Sequence, residues 1–352
     1  MEVSSPACMW FTSQTQSNIF SNYHIGWLNS NQEANSDERK SNKSALRGCL
    51  DVNCQLGEGA QGSIYLVTYG ESEKFALKVC RKKTSLKCAR NYSIQNSFKA
   101  IEILNEVKIL DSLNPAFIIE FFEKFETENY NSFLLEFCQG GDLLPDMHPL
   151  IYTVYHLQKV NEQEIKFSES SVKFYISCLA LELDYIHSKG FVYRDLKPEN
   201  VLLDKYGYPK ICDFEIVKRE VYGKEVDWWS LGILTYEFPF NETPFEDDNI
   251  FVEHENIKTK EPSYCTRNDL STECIEFISQ LLSKDQNNRL GKNGIKDFIV
   301  HPWLEDIDFK ELEHQNSEPP YPIEGVSPSE THFFCEEYTQ KMLDYQLVQE
   351  IS

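Results

Sequence analysis

The stretch YRDLKPENVLLD, Tyr193 to Asp204, places a carboxylate, an ammonium and a carboxamide a few residues apart. Asp195 can accept a proton from a hydroxyl, Lys197 can neutralise a phosphoryl group in motion, and Asn200 can hold a metal ion through its amide oxygen. Further on, Asp213 in KICDFE supplies a second metal ligand. Phosphoryl transfer asks little covalent work of a protein. It asks for charge neutralisation and in-line placement, and this residue set offers both. The competing reading is a loop of solvated charges, and it loses ground as the upstream sequence is added.

Upstream, LGEGAQGSIYLV sets Gly57, Gly59 and Gly62 between two strand-like runs. Glycines there let the backbone close over phosphates and present N–H donors without Cβ obstruction. Such hairpins are common, so the turn is a weak signal alone. A dinucleotide-binding turn is disfavoured, because a strand rather than a helix follows the third glycine. Lys78, in FALKV, lies on the next strand, where a cation could hold α- and β-phosphates; a strand lysine is otherwise surface. Glu106, in ILNEVKIL, offers it a carboxylate from a stretch whose apolar residues Ile101, Leu104, Val107 and Leu110 recur at helical spacing. AFIIEFFEKFE and SFLLEFC read as strands, ending at a Gly140-Gly141 hinge. SESSVKFYISCLALELDYIHSKG then opens with Ser/Glu capping signals and stops at Gly190, as a helix would. A sheet followed by a mainly helical region is an α+β arrangement.

These motifs together resemble the eukaryotic protein kinases. Tyr193 where His is usual in YRDLKPEN, with LNEVKIL, FCQGGDL and VDWWSLGILTYE, is similar to the AGC group of Ser/Thr kinases, near the cyclic-nucleotide-dependent branch. The resemblance runs from about Leu50 to the C-terminus. It implies a bilobal fold: a small antiparallel sheet lobe with one main helix over 50–137, then a larger helical lobe over 138–304. A Ser/Asn/Gln-rich tail (1–49) precedes this domain and an AGC-type tail (305–352) follows it. It also implies ATP and Mg²⁺ as cofactors, with transfer of the γ-phosphate to Ser or Thr. On matching positions Ile64, Ala76 and Leu202 would sandwich adenine, and Leu135 would precede hinge residues Glu136 to Cys138. Asp142 would bind ribose, and Phe334, in FFCEEYT, would touch the nucleotide. Lys78 and Glu106 would form the family's ion pair, Asp195 and Lys197 would serve catalysis, and Asn200 and Asp213 would hold metal. The stacked spine would be Leu110, Phe121, Tyr193 and Phe214, anchored by Asp227. Asp142, Glu199 and Glu237 match positions that bind basic residues ahead of the target, through Arg–carboxylate pairs.

The chain departs from that pattern in four places. Gln61 replaces an aromatic at the glycine-loop tip, and Glu215 replaces the Gly after Asp213-Phe214. Between Asp213 and Asp227 stands only FEIVKREVYGKEV, so the activation loop, the peptide-docking floor and an Ala-Pro-Glu are missing. Loss of that Glu would leave Arg289 without its ion-pair partner, and Arg194 without a phosphate to clamp. LPDMHPLIYTV, Leu144 to Val154, is inserted after GGDL. The tail's terminal Phe motif is also not evident. An ATP-binding scaffold without efficient transfer, a pseudokinase, is therefore the alternative to a working enzyme.

Composition bounds the partners. The chain has 352 residues, a 41% hydrophobic fraction and a formal net charge of −22. Such a charge excludes a nucleic-acid surface, since phosphate neutralisation needs clustered Lys and Arg. It suits a protein or peptide substrate with basic residues before Ser/Thr, and a regulatory subunit would have to come from another chain. The start NSNQEANSDERKSNKS (from Asn29) and its neighbours read as a disordered tail. No apolar run approaches the ~20 residues of a membrane span, and no secretory signal is expected, which points to the cytoplasm with nuclear access. The 11 scattered cysteines then read as reduced core residues.

Overall fold

The computed structural model describes residues 50–59, 62–82, 116–143, 167–213, 217–218, 223–264, 269–323, 331, 334 and 336–341. They fall into two compact units, one within 1–114, 118–141 and 327–352, the other within 115–117 and 142–326. The insertion at 144–154 and the helix expected around Glu106 lie outside the described residues.

The smaller unit is a five-stranded antiparallel sheet ordered β1-β2-β3-β5-β4. Its strands are β1 (Leu50–Gly59), β2 (Gly62–Tyr69), β3 (Glu73–Arg81), β4 (Phe121–Glu126) and β5 (Tyr130–Glu136). Strand side chains alternate between faces, so the register sorts them. Tyr65, Val67, Phe75, Leu77, Val79 and Leu134 collect on one face with Leu50 and Phe125, forming a single apolar cluster. Pairings Ile64↔Lys78, Leu66↔Ala76, Ala76↔Leu135 and Lys78↔Phe133 put the expected nucleotide residues Ile64, Ala76 and Lys78 together on the other face. A strand segment rich in Val, Leu and aromatics thus carries a core face and a working face.

In the larger unit, α1 (Glu169–Ser188) begins where Ser168 Oγ accepts the Ser171 N–H at 3.2 Å. That cap satisfies one of the four unpaired amide donors of the first turn. The helix stops before Gly190, whose φ of +85° is left-handed. The strands β6 (Phe191–Val192), β7 (Val201–Leu203), β8 (Pro209–Ile211) and β9 (Val217–Lys218) pair as β6 with β9 and β7 with β8. The longer helices α2 (Glu225–Phe240), α3 (Ile250–Thr259) and α4 (Thr272–Leu281) follow, and shorter ones come after them. A Cβ on Gly232 of α2 would stand 2.8 Å from Leu281 Cβ, so glycine sets how closely α2 and α4 pack. Glu169 ties α1 to α4 and the following turn. It accepts Ser271 N at 2.7 Å, Ser271 Oγ at 2.5 Å and Trp303 Nε1 at 2.8 Å. Trp228, Phe277, Phe298 and Trp303 fill the core nearby. Among the described residues no helix is long and apolar enough to cross a membrane.

Candidate active site

In the smaller unit, Gly57 and Gly59 end β1 and pair with Ile64 and Gly62 across the hairpin. Its tip, Ala60 and Gln61, lies outside the described residues. Gly62 is fixed by packing: a Cβ there would stand 2.1 Å from the Val79 carbonyl oxygen of β3. Ile64, Ala76 and Leu135 are buried, and Lys78 is only 3% exposed. An ammonium so buried requires anionic company; Glu106, the expected partner, is outside the described residues. At the end of β5 Glu136 is half-buried and Cys138 buried, with the Cys138 carbonyl accepting Gly141 N at 3.3 Å. Phe334 stacks on Phe137 with ring centroids 5.6 Å apart. Close by in sequence, Lys341 Nζ reaches Glu58 Oε2 at 2.6 Å.

In the larger unit the catalytic stretch folds on itself. Lys197 Nζ donates to Asp195 Oδ2 at 2.7 Å. Asn200 Nδ2 donates to the same oxygen at 2.7 Å and to the Asp195 carbonyl at 2.8 Å. Asp195 and Lys197 keep side-chain exposures of 24% and 26%. The Asn200 carbonyl accepts Cys212 N at 2.8 Å, which brings Asp213 along β8 toward the loop. Asp213 is buried, with a left-handed φ of +55°. Arg194 also has a positive φ, +77°. Non-glycine residues held there store strain that the surroundings must overrule, and such positions gather at functional sites. Asp142 forms a bridge with Leu202, and Leu143 N donates to Val201 O at 2.8 Å.

Asp227, on the first turn of α2, supplies such contacts at Arg194. It is fully buried and accepts Arg194 N at 2.6 Å, Tyr193 N at 2.8 Å and His187 Nε2 at 2.7 Å. Charge-assisted bonds of this kind are about twice as strong as neutral ones. The Tyr193 hydroxyl meanwhile donates to the Cys212 carbonyl. Sequence reasoning gave Asp227 an anchoring role but missed His187, which carries no motif of its own. The other spine members Leu110 and Phe214, and Glu215 beside Asp213, lie outside the described residues.

One oxygen in this network has no hydrogen-bond partner among the described residues: Asn200 Oδ1, buried on a residue with 0% exposure. Leaving such an acceptor empty costs about 1–3 kcal/mol. A hard cation coordinated by oxygens is its natural partner, and with Asp213 next in chain to Cys212, whose amide bonds the Asn200 carbonyl, the donor types suit Mg²⁺.

Comparison with known proteins agrees with this geometry. Residues 50–219 and 215–304 match the protein kinase domain family. The chain belongs to the protein kinases. Its relatives are AGC-type Ser/Thr kinases. A probable serine/threonine-protein kinase of Dictyostelium discoideum is 32% identical over 76% of this chain and 59% of its own length. The cAMP-dependent protein kinase catalytic subunit of the same organism is 31% identical over 76% of this chain and 41% of its own. Ribosomal protein S6 kinase alpha-6 of mouse is 29% identical over 83% of this chain and 39% of its own. The chain thus spans less than two thirds of these relatives' length. The kinase family match comes in two pieces that meet at 215–219, within the shortened stretch between Asp213 and Asp227.

That shortening does not strand Arg289 as expected. The guanidinium, 7% exposed, donates to Ser283 O from Nε at 3.1 Å and Nη2 at 2.9 Å, and from Nη1 to Glu225 O at 2.7 Å. It also lies 4.9 Å from the Trp229 ring centroid. Main-chain carbonyls and an aromatic face take the place of the kinase family's carboxylate. Burial still lowers its pKa, opposed by the Glu225 and Asp285 charges.

Proposed function

We propose that this chain is an ATP- and Mg²⁺-dependent serine/threonine kinase of the AGC type. It transfers the γ-phosphate to Ser or Thr preceded by basic residues, slowly, because it lacks the peptide-docking floor. The observation that carries this reading is the Asp195, Lys197 and Asn200 network, hung from Asp227 with Asn200 Oδ1 left over. Asp195 orients the substrate hydroxyl and accepts its proton; Lys197 steadies the phosphoryl group in transit. Asn200 and Asp213 would hold Mg²⁺, which when bound neutralises charge on the phosphates. Lys78 would bind the α- and β-phosphates, with Glu106 as its partner. The amides of Gly57, Gly59 and Gly62 would cover them. Ile64, Ala76 and Leu202 would hold adenine, Glu136 and Cys138 would offer main-chain bonds, Asp142 would take ribose, and Phe334 would border the nucleotide. Glu199 and Glu237, both half-buried in the larger unit, suit Arg or Lys ahead of the target. A regulatory subunit and a cytoplasmic setting fit the same reading.

A second reading, an ATP-binding scaffold, is favoured by the 13 residues (214–226) that replace a full activation segment. ATP titrations with and without Mg²⁺, beside phosphorylation of an Arg-containing Ser peptide, separate the two. The kinase reading expects Mg²⁺-dependent binding and transfer abolished by Asp195→Ala. Binding without transfer selects the scaffold, and no binding removes both.

A further inference from the structure

Inside the larger unit one buried ammonium faces two buried carboxyl groups. They are Lys210 on β8, Asp204 in the turn between β7 and β8, and Glu182 on α1. Lys210 Nζ donates to Ala116 O at 2.5 Å and stands 3.7 Å from Asp204 Oδ2. Asp204 Oδ1 accepts Tyr206 N and Tyr208 N, each at 2.9 Å. Glu182 is served less well: it accepts the Phe117 amide, and its Oε1 has no partner among the described residues. One cation does not keep two buried carboxylates ionised, and hydrogen bonds to the charged form decide which acid keeps its charge. The negative charge therefore sits on Asp204 and the proton on Glu182. Burial agrees, pushing the Glu182 carboxyl up to about 8.

The rest of the cluster is neutral. Tyr175 and Cys178 share the Glu182 face of α1, seven and four residues before it, and burial pushes both well above their ordinary values. Tyr208 in the turn is raised likewise, and the Tyr321 hydroxyl accepts Ser171 Oγ at 3.1 Å. Acids on the flanking elements are engaged elsewhere: Asp184 by Ile295 N, Asp306 by Lys173, and Asp227 by His187 and the Tyr193–Arg194 backbone. Lys210 is the charge that acts on Glu182.

What these groups hold is a short piece of main chain. Ala116 and Phe117 belong to the larger unit, while the chain on either side of them belongs to the smaller one. Gln315 Nε2 joins Lys210 on Ala116 O at 3.1 Å, and Ile211 N donates to Phe117 O at 2.9 Å. We propose that Glu182 and Lys210 form a proton-operated latch that fastens Ala116 and Phe117 to β8. With Glu182 neutral, the ammonium stays on Ala116 O beside Asp204. When Glu182 gives its proton to solvent, its carboxylate draws the ammonium away, and the Ile211–Phe117 bond opens more often. The latch weakens as pH rises toward the folded-state value and levels off beyond it, the sign for a carboxyl whose pKa folding raises. It couples proton occupancy to the seating of β8, the strand that leads to Asp213.

Hydrogen exchange on the full chain, read by mass spectrometry in peptides spanning Ile211 and corrected for intrinsic rates, tests this between about pH 6.5 and about pH 9. The wild type is expected to lose about tenfold in protection at Ile211 over that interval. Glu182→Gln, which cannot titrate, is expected to show no such loss. Lys210→Met is expected to be weakly protected at both pH values, since the ammonium on Ala116 O is gone. Infrared difference spectra of the wild type over the same interval are expected to lose a protonated-carboxyl band, and Glu182→Gln to lack it. In Lys210→Met that loss should move to higher pH, because the charge favouring the carboxylate is absent. The wild-type spectrum stands without any variant folding. Two results overturn the proposal: the same pH dependence at Ile211 in wild type and Glu182→Gln, or no protonated-carboxyl band lost from the wild type.

Discussion

Asn200 turns its amide nitrogen inward, toward both the carbonyl and the carboxylate of Asp195, and only Oδ1 remains to be used. Asn200→Ala should then weaken the Mg²⁺ enhancement of ATP binding by about tenfold, the scale of losing one neutral oxygen ligand to the ion. Asn200→Asp, which keeps an oxygen there, should retain part of it; isothermal titration with and without Mg²⁺ reads the difference. Glu182 makes a separate case. It is buried on α1, with Oε1 lacking a partner among the described residues. Burial pushes its carboxyl up to about 8, against the opposing charge of Lys210 and a hydrogen bond from the Phe117 amide. Unfolded, the same carboxyl titrates near 4.5. Between those values the unfolded chain binds fewer protons, so this group's contribution to stability falls as pH rises and levels off above about 8. Glu182→Gln should melt higher than wild type at pH 8, by a difference on the order of 3 kcal/mol, and the gap should shrink toward pH 5. A gap that does not change with pH would refute this.

Among elements, α2 bears the most. Its first turn holds the Tyr193–Arg194 backbone through Asp227, and its N-terminal end receives Arg289. Arg289→Ala should destabilise the larger unit by about 2–4 kcal/mol, since three hydrogen bonds from a buried cation vanish with it. Arg289→Lys should recover only part, because a single ammonium cannot serve Ser283 O and Glu225 O as the planar fork does. Denaturant unfolding followed by tryptophan fluorescence measures both. Which elements the sequence disclosed follows from the kind of signal each carries. The strands of the small sheet were legible as apolar runs around the glycine turn, whereas the sorting of their side chains into two faces follows from the register. The helix α1 was legible from Ser168 and Gly190. The Arg289 contacts were not, because main-chain carbonyls leave no trace in a sequence, whereas a carboxylate would.

At the scale of the whole chain, motif content and chain length pull in different directions. Lys78, Asp195, Lys197, Asn200 and Asp213 are all present, yet only residues 214–226 separate Asp213 from Asp227. The motifs identified the family because phosphoryl transfer fixes residue types at fixed spacings. What surrounds a peptide substrate is shape rather than motif, and a short segment there limits rate before it limits nucleotide binding. The most direct test is transfer of labelled γ-phosphate from Mg·ATP to a Ser peptide with preceding arginines, wild type against Asp195→Ala. Slow, Mg²⁺-dependent labelling that disappears in the variant is the predicted result. No labelling above the variant's background, or labelling that survives the substitution, would contradict the account.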